Sequence, residues 1–273
     1  MNESVSLPNT ALSMAEHITA SDPGPTLEPL FTAKEVDDQS SHAYRQLIGG
    51  LGFALPYILW LMAGLRPTEG LQRWEMLGSL SAYYHTGAVP AFVGILVALG
   101  VFLITYRGYN NTYRRRDRAA AIVAGTAAIL VAFFPTAAPK GLSGPSWWAP
   151  RTGVIHYVAA VVLFSAFSFI SLFLFRKTKV GAGEPLPADK RVRNGIYSWC
   201  GIAMVGCMAW AGGASVVGAS IFWSEALALE FFAVSWLVKG RADRTAVAAA
   251  RRTWHYGRHP RQLASDLLAA IRR

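Results

Sequence analysis

The sequence predicts an all-α integral membrane protein, a six-transmembrane helix bundle with cytoplasmic N- and C-termini. Three observations carry that expectation. Of the 273 residues, 53% are hydrophobic and only 15% are charged, with a mean hydropathy of +0.30; soluble domains carry about 25% charged residues. The apolar residues gather in blocks close to the roughly 20 residues that a helix needs to cross about 30 Å of hydrocarbon. The charge lies between the blocks, with Lys and Arg concentrated on alternate loops.

Residues 1–43 are polar and rich in Ser, Thr and Pro. Glu3, Glu16, Asp22, Glu28, Glu35, Asp37 and Asp38 stand there against Lys34. No basic stretch precedes an apolar run, so a signal peptide is not expected. The segment reads as a disordered acidic cytoplasmic tail with a short helix near Ala11 to Ala20.

The transmembrane domain is expected over 44–240, with spans from Leu47 to Leu65, Thr86 to Tyr106, Ala119 to Ala138, Ile155 to Phe175, Ile196 to Gly212 and Ile221 to Leu237. Gly and Pro within them are tolerable because neighbouring helices can satisfy the backbone groups that a kink releases. The fifth span is short, and almost no polar loop separates it from the sixth, so the two should form a tight hairpin. Residues 241–273 read as a basic amphipathic cytoplasmic tail. Leu263, Leu267, Leu268 and Ile271 recur at helical spacing beside Arg261, Arg272 and Arg273, which suits a helix lying on the inner leaflet after a break at His259 and Pro260. His255 and His259 are four apart but lack a third ligand, and read as solvated.

Twenty of the 26 Lys and Arg residues fall in 107–118, 176–193 and 239–273, against four on the opposite side: Arg66, Arg73, Lys140 and Arg151. Basic loops resist translocation, which places those three segments and both termini in the cytoplasm. The same distribution accounts for the net charge of +10. It predicts contact with anionic headgroups at the inner loops and C-terminal tail rather than with nucleic acid.

Cys200 and Cys207 lie seven apart on one helical face and cannot bridge each other. No phosphate-binding loop, dinucleotide fingerprint, nucleophile elbow or metalloprotease helix occurs in the chain. The candidates that remain are polar groups in or beside hydrocarbon, where they are costly enough to point to function. A ligand pocket near the outer interface is expected from Ser81, Tyr84, His85, Thr136, His156 and Glu225, with Ser79 and Pro135 beside them and Trp74, Trp147 and Trp148 at the rim. Each also has a plain structural reading. Tyr83, Tyr84, Trp147 and Trp148 suit interfacial anchors, and either histidine could simply bond a backbone carbonyl. Spans two, four and six run in the same direction, which puts His85, His156 and Glu225 within about two turns of the outer interface, where convergence lowers the cost of burying them. Glu230 is a separate intramembrane acid. Five residues at about 100° each turn it some 140° from Glu225, so it should meet a neighbouring helix or a second subunit in a homo-oligomer.

Several segments carry a resemblance: Ser81-Ala-Tyr-Tyr-His-Thr86, Val93-Gly94, Thr105-Tyr-Arg-Gly-Tyr109, Phe133-Phe-Pro-Thr136, Ile155-His-Tyr157 and Trp236-Leu-Val-Lys-Gly240. Over residues 45 to 240 the chain resembles a bacterial family of six-helix membrane proteins, a domain of unknown function with a distant similarity to the DRAM-like proteins. The resemblance implies one bundle in the bacterial inner membrane and no particular reaction.

Three functional classes stay open. The favoured one is a non-enzymatic lipid or small-molecule binding, transport or regulatory module whose outer-leaflet pocket is the recognition site; no catalytic residue and no cofactor are assigned. The second is an intramembrane zinc hydrolase resembling the ceramidase-like superfamily, with Ser79 or Ser81, His85, His156 and Glu225 as a partial analogue. Against it stand only two histidines in the bundle, no Asp within any span, and six helices where those enzymes have seven. The third is a b-type haem protein with His85 and His156 as axial ligands.

Overall fold

The structure is a computed structural model that describes residues 33–106, 114–177 and 187–242. The expected helices near Ala11 to Ala20 and at 263–271, and the pair His255 and His259, lie outside the described residues. The chain divides into two units, Met1–Gln39 and Ser40–Arg273. The first is described only from Ala33 onward, as the start of a helix.

Among the described residues the fold is all-helical. Six helices follow one another: α1 (Ala33–Leu65), α2 (Val89–Thr105), α3 (Arg114–Phe133), α4 (Pro150–Phe169), α5 (Ala188–Val216) and α6 (Phe222–Lys239). Each overlaps one of the six expected spans, but the ends differ for local reasons. The helix α1 begins within the polar segment at Ala33. Span two, expected from Thr86, starts later: Ser81–His85 form a separate 3₁₀ turn and α2 opens at Val89, with Pro90 in its first turn where a missing N–H costs nothing. The helix α3 stops at Phe133 because Pro135 cannot continue it. The helix α5 runs past Gly212 to Val216.

Pro150 opens α4, and the Thr152 hydroxyl accepts the Ala149 N–H at 3.4 Å. Its far end widens into a π turn, Ile170–Leu174, closed by Phe175 N–H to Ile170 O at 2.9 Å. Ser171 within that turn donates to Tyr197 O on α5 at 3.1 Å, which ties the irregular turn to its neighbour.

Sequential helices pack on one another, α2 with α3, α3 with α4, α4 with α5 and α5 with α6. The helices α2 and α3 cross closely, and a Cβ at Gly125 would stand 2.5 Å from Gly100 O. Two backbones meet there with no side chain between them, the small-residue packing by which helices associate without a hydrophobic driving force. The interior is filled by large side chains, among them Phe92, Leu99, Met204, Phe232 and Trp236. Phe167 and Phe232 stack with centroids 3.7 Å apart.

Among the described residues, three helical stretches are long and apolar enough to cross a membrane: His42–Leu65, Pro150–Leu174 and Ala188–Val216. Val89–Thr105 is apolar but shorter. Apolar side chains also cover the outward faces of α1, α4 and α5, including Phe53, Tyr57, Val158, Val161, Trp199, Ile202 and Val205.

Candidate functional site

The site lies where α3 ends and α2, α4 and α6 begin. The last carbonyls of a helix have no intrahelical partner, and Pro135 leaves the chain after α3 without an N–H. Three successive carbonyls of this segment are instead satisfied by side-chain ring nitrogens. Phe134 O accepts from His156 Nδ1 at 2.7 Å, Pro135 O from Trp148 Nε1 at 3.0 Å, and Thr136 O from His85 Nε2 at 3.0 Å.

Those contacts fix the tautomers, because a carbonyl can only accept and the facing nitrogen must carry the proton. His156 therefore holds its proton on Nδ1 and presents a lone pair at Nε2. Ser81 Oγ lies 2.8 Å from that Nε2 and donates to it. His156 is 2% exposed. The Ser81 hydroxyl, the imidazole and a backbone carbonyl thus form one directed chain of hydrogen bonds.

His85 is used differently. Burial holds its imidazole below the ordinary value, while the backbone carbonyls of Thr136 and Ser143 oppose that shift. It is neutral near pH 7 and pins the segment after α3 to the 3₁₀ turn. Tyr84 packs edge-on against the His85 ring with centroids 5.4 Å apart, and against Phe92 at 6.0 Å. Tyr83, expected as an interfacial anchor, is instead fully buried, with its ring near Phe222.

Glu225, in the first turn of α6, accepts the Leu80 N–H at Oε2 over 2.6 Å. Gly78 O, two residues earlier, takes the Ile221 N–H at 2.8 Å and the Ser220 hydroxyl at 3.1 Å. These bonds lock the approach to the 3₁₀ turn onto the start of α6. Ser79 Oγ accepts the Ala82 N–H at 3.1 Å, which leaves its own O–H as a donor.

A cavity of about 330 Å³ opens beside these groups. Its polar wall holds Ser79, Ser81, Thr136, His156 and Glu225, and its apolar wall is formed by Ala160, Val161 and Phe164 of α4 with Met208 and Ala211 of α5. Tyr157 and Val161 line it and are each 58% exposed, so it reaches the outer surface of the bundle beside α4. Four of the six expected pocket residues, Ser81, Thr136, His156 and Glu225, share this cavity. Tyr84 and His85 do not line it, and His85 touches it only through Thr136. Glu230 does not line it either. It hydrogen-bonds Tyr57 of α1, and its Oε1 is buried without a partner.

Of the two imidazoles weighed as axial ligands, His156 directs Nε2 at Ser81 and His85 directs Nε2 at Thr136 O. Among the described residues no three His, Cys, Asp or Glu side chains group closely enough to hold a metal ion.

Sequence reasoning missed two features. The backbone groups at Leu80 and Phe134 that orient the carboxyl and the imidazole carry no residue signature. The second is a basic cluster at the opposite end of the bundle, made of Arg45 from the N-terminal segment with Lys190 and Lys239, two of the charges counted above as orienting. Arg45 is 1% exposed, donates from Nε to the Tyr106 hydroxyl at 3.2 Å and lies over that ring. Lys190 and Lys239 both donate to Phe175 O, at 3.2 and 3.0 Å. Comparison with protein-family models, curated proteins and solved structures finds no match for the chain.

Proposed function

We propose that the chain is a six-span protein of the bacterial inner membrane, with both termini in the cytoplasm, that binds a lipid-like amphiphile in the cavity beside Ser81, His156 and Glu225. The bilayer assignment rests on the three long apolar helices and on the apolar outward faces. The helices α2, α3 and α6 would complete the six spans, and the orientation rests on the bias of Lys and Arg toward alternate loops.

The cavity itself carries the binding reading. A volume of about 330 Å³ falls in the range of small-molecule sites, and one end offers convergent hydrogen-bonding groups while the other offers only alkyl and aromatic surface. A polar head would bond at Ser79, Ser81 and Glu225, and a chain would leave along Ala160, Phe164 and Met208. Exposure of Tyr157 and Val161 allows entry from the bilayer rather than through a loop.

The test is thermal unfolding of the full chain in nanodiscs titrated with 1-oleoylglycerol, a neutral amphiphile with a hydroxylated head. Binding at a hundredfold excess over Kd stabilises by about 2.7 kcal/mol, so the midpoint should rise with concentration. Ala160→Trp, which places an indole in the cavity, should abolish the rise. An unchanged wild-type midpoint, or an equal rise in Ala160→Trp, refutes the reading.

A further inference from the structure

We infer that Ser81 is an acyl-accepting nucleophile and His156 its general base, so that the cavity cleaves carboxylic esters of the amphiphiles it binds; this rests on the binding reading above.

Nucleophilic serines are recognised by a base within hydrogen-bond reach and a third group that orients the base. All three parts are present here. Ser81 Oγ is 2.8 Å from His156 Nε2, and Nδ1 on the far side of the ring donates to Phe134 O at 2.7 Å. The tautomer is the one that can take a proton from serine. The orienting carbonyl has no free rotation, because it belongs to the chain that Pro135 turns out of α3. A histidine with a purely structural task, such as His85, ends its bonds on backbone. His156 instead spends one nitrogen on backbone and directs the other at a hydroxyl that lines the cavity.

The reaction balances with water as the second reactant. Ser81 Oγ attacks the ester carbonyl carbon as its proton passes to His156 Nε2. The ester C–O bond then breaks, and Nε2 returns that proton to the leaving alkoxide, giving an alcohol and an acyl ester on Ser81. Water, deprotonated by Nε2, attacks the acyl carbonyl and releases the carboxylic acid, and the proton returns to Ser81 Oγ. The Ser79 O–H, on the same wall, is placed to donate to the carbonyl oxygen as charge develops on it. The substrate class follows from the wall opposite, where Val161, Phe164 and Met208 suit an acyl chain.

The experiment exposes the full chain in nanodiscs to hexadecyl fluorophosphonate and maps the adduct by peptide mass spectrometry, with the 1-oleoylglycerol titration run in parallel. The expected result is one adduct on Ser81, absent in Ser81→Ala and slowed roughly 10²–10⁴-fold in His156→Gln, with oleate released from 1-oleoylglycerol by wild type alone. Ser81→Cys, whose thiol retains a bond to His156, serves if the alanine variant does not fold; it should bind oleoylglycerol and lose the phosphonate adduct. Binding without an adduct at Ser81 overturns the nucleophile and leaves the binding site standing. Neither binding nor adduct overturns both, and an adduct on another serine overturns the assignment to Ser81.

Discussion

Replacing Gly125 by Ala tests the helix crossing on which the bundle depends. An ideal Cβ there would lie 2.5 Å from Gly100 O, 2.8 Å from Ile104 Cγ1 and 3.0 Å from Ile104 N. Two of those atoms are backbone, so no side-chain rotation relieves the overlap, and α2 must move away from α3. Overpacking of this kind costs about 1–3 kcal/mol, while exchanging Gly for Ala inside a helix returns up to about 1 kcal/mol. With the full return the net loss is about 0–2 kcal/mol, up to several degrees at roughly 2–4 °C per kcal/mol for a chain of this size. The control is Gly94→Ala on α2, where nothing stands within 4 Å of the new Cβ and only the helix-propensity gain applies. Thermal unfolding in one detergent should rank Gly94→Ala at or above wild type and Gly125→Ala below it. Equal midpoints for the two variants would show that the crossing is not tight and refute the packing argument.

Titration of His85 should appear in the pH dependence of stability. Its folded pKa lies below the ordinary 6.5, so the unfolded chain binds more protons in that window, and stability is lost as pH falls from about 7 toward 5 with a slope of at most about 1.4 kcal/mol per unit. His85→Gln should flatten part of that slope, and an unchanged profile would show that His85 does not carry it. Tyr106→Phe leaves the Arg45 Nε–H without its hydroxyl acceptor and should lower stability by about 1–3 kcal/mol, read as a shift in the unfolding midpoint; no shift would mean that the bond contributes nothing. Cysteines placed at 107–118 or 176–194 should resist membrane-impermeant maleimide in intact cells, and labelling of either loop would reverse the orientation.

Hydropathy located all six helices because each must bury or present an apolar block of nearly one length, whatever its neighbours do. The ends were harder to read, since they are set by single residues and by partners elsewhere in the chain. Pro135 stops α3 ahead of Ala138, an outcome its missing N–H foretells. Nothing local foretells that Ser81–His85 forms a 3₁₀ turn apart from α2, because that turn is held by Glu225 across the bundle. The polar start of α1 at Ala33 carries no hydropathy signal, because hydropathy reports burial in lipid and not helicity.

For the site, the decisive distinction is between the two histidines, which sequence position alone cannot draw. Both stand near the start of a helix at similar expected depth, and both bond carbonyls released where α3 ends. What separates them is the helix from which each approaches. His85 sits on the 3₁₀ turn itself and directs Nε2 at Thr136 O. His156 reaches from α4 with Nδ1 against Phe134 O, which turns its Nε2 back toward Ser81, the first residue of that same turn. The segment Phe134-Pro135-Thr136 therefore works as a ruler: successive carbonyls fix Trp148, both histidines and, through His156, the serine. The segments 81–86, 133–136 and 155–157 are thus three sides of one hydrogen-bonded corner, and the chemistry proposed for Ser81 depends on the one imidazole in that corner that backbone satisfies on a single side.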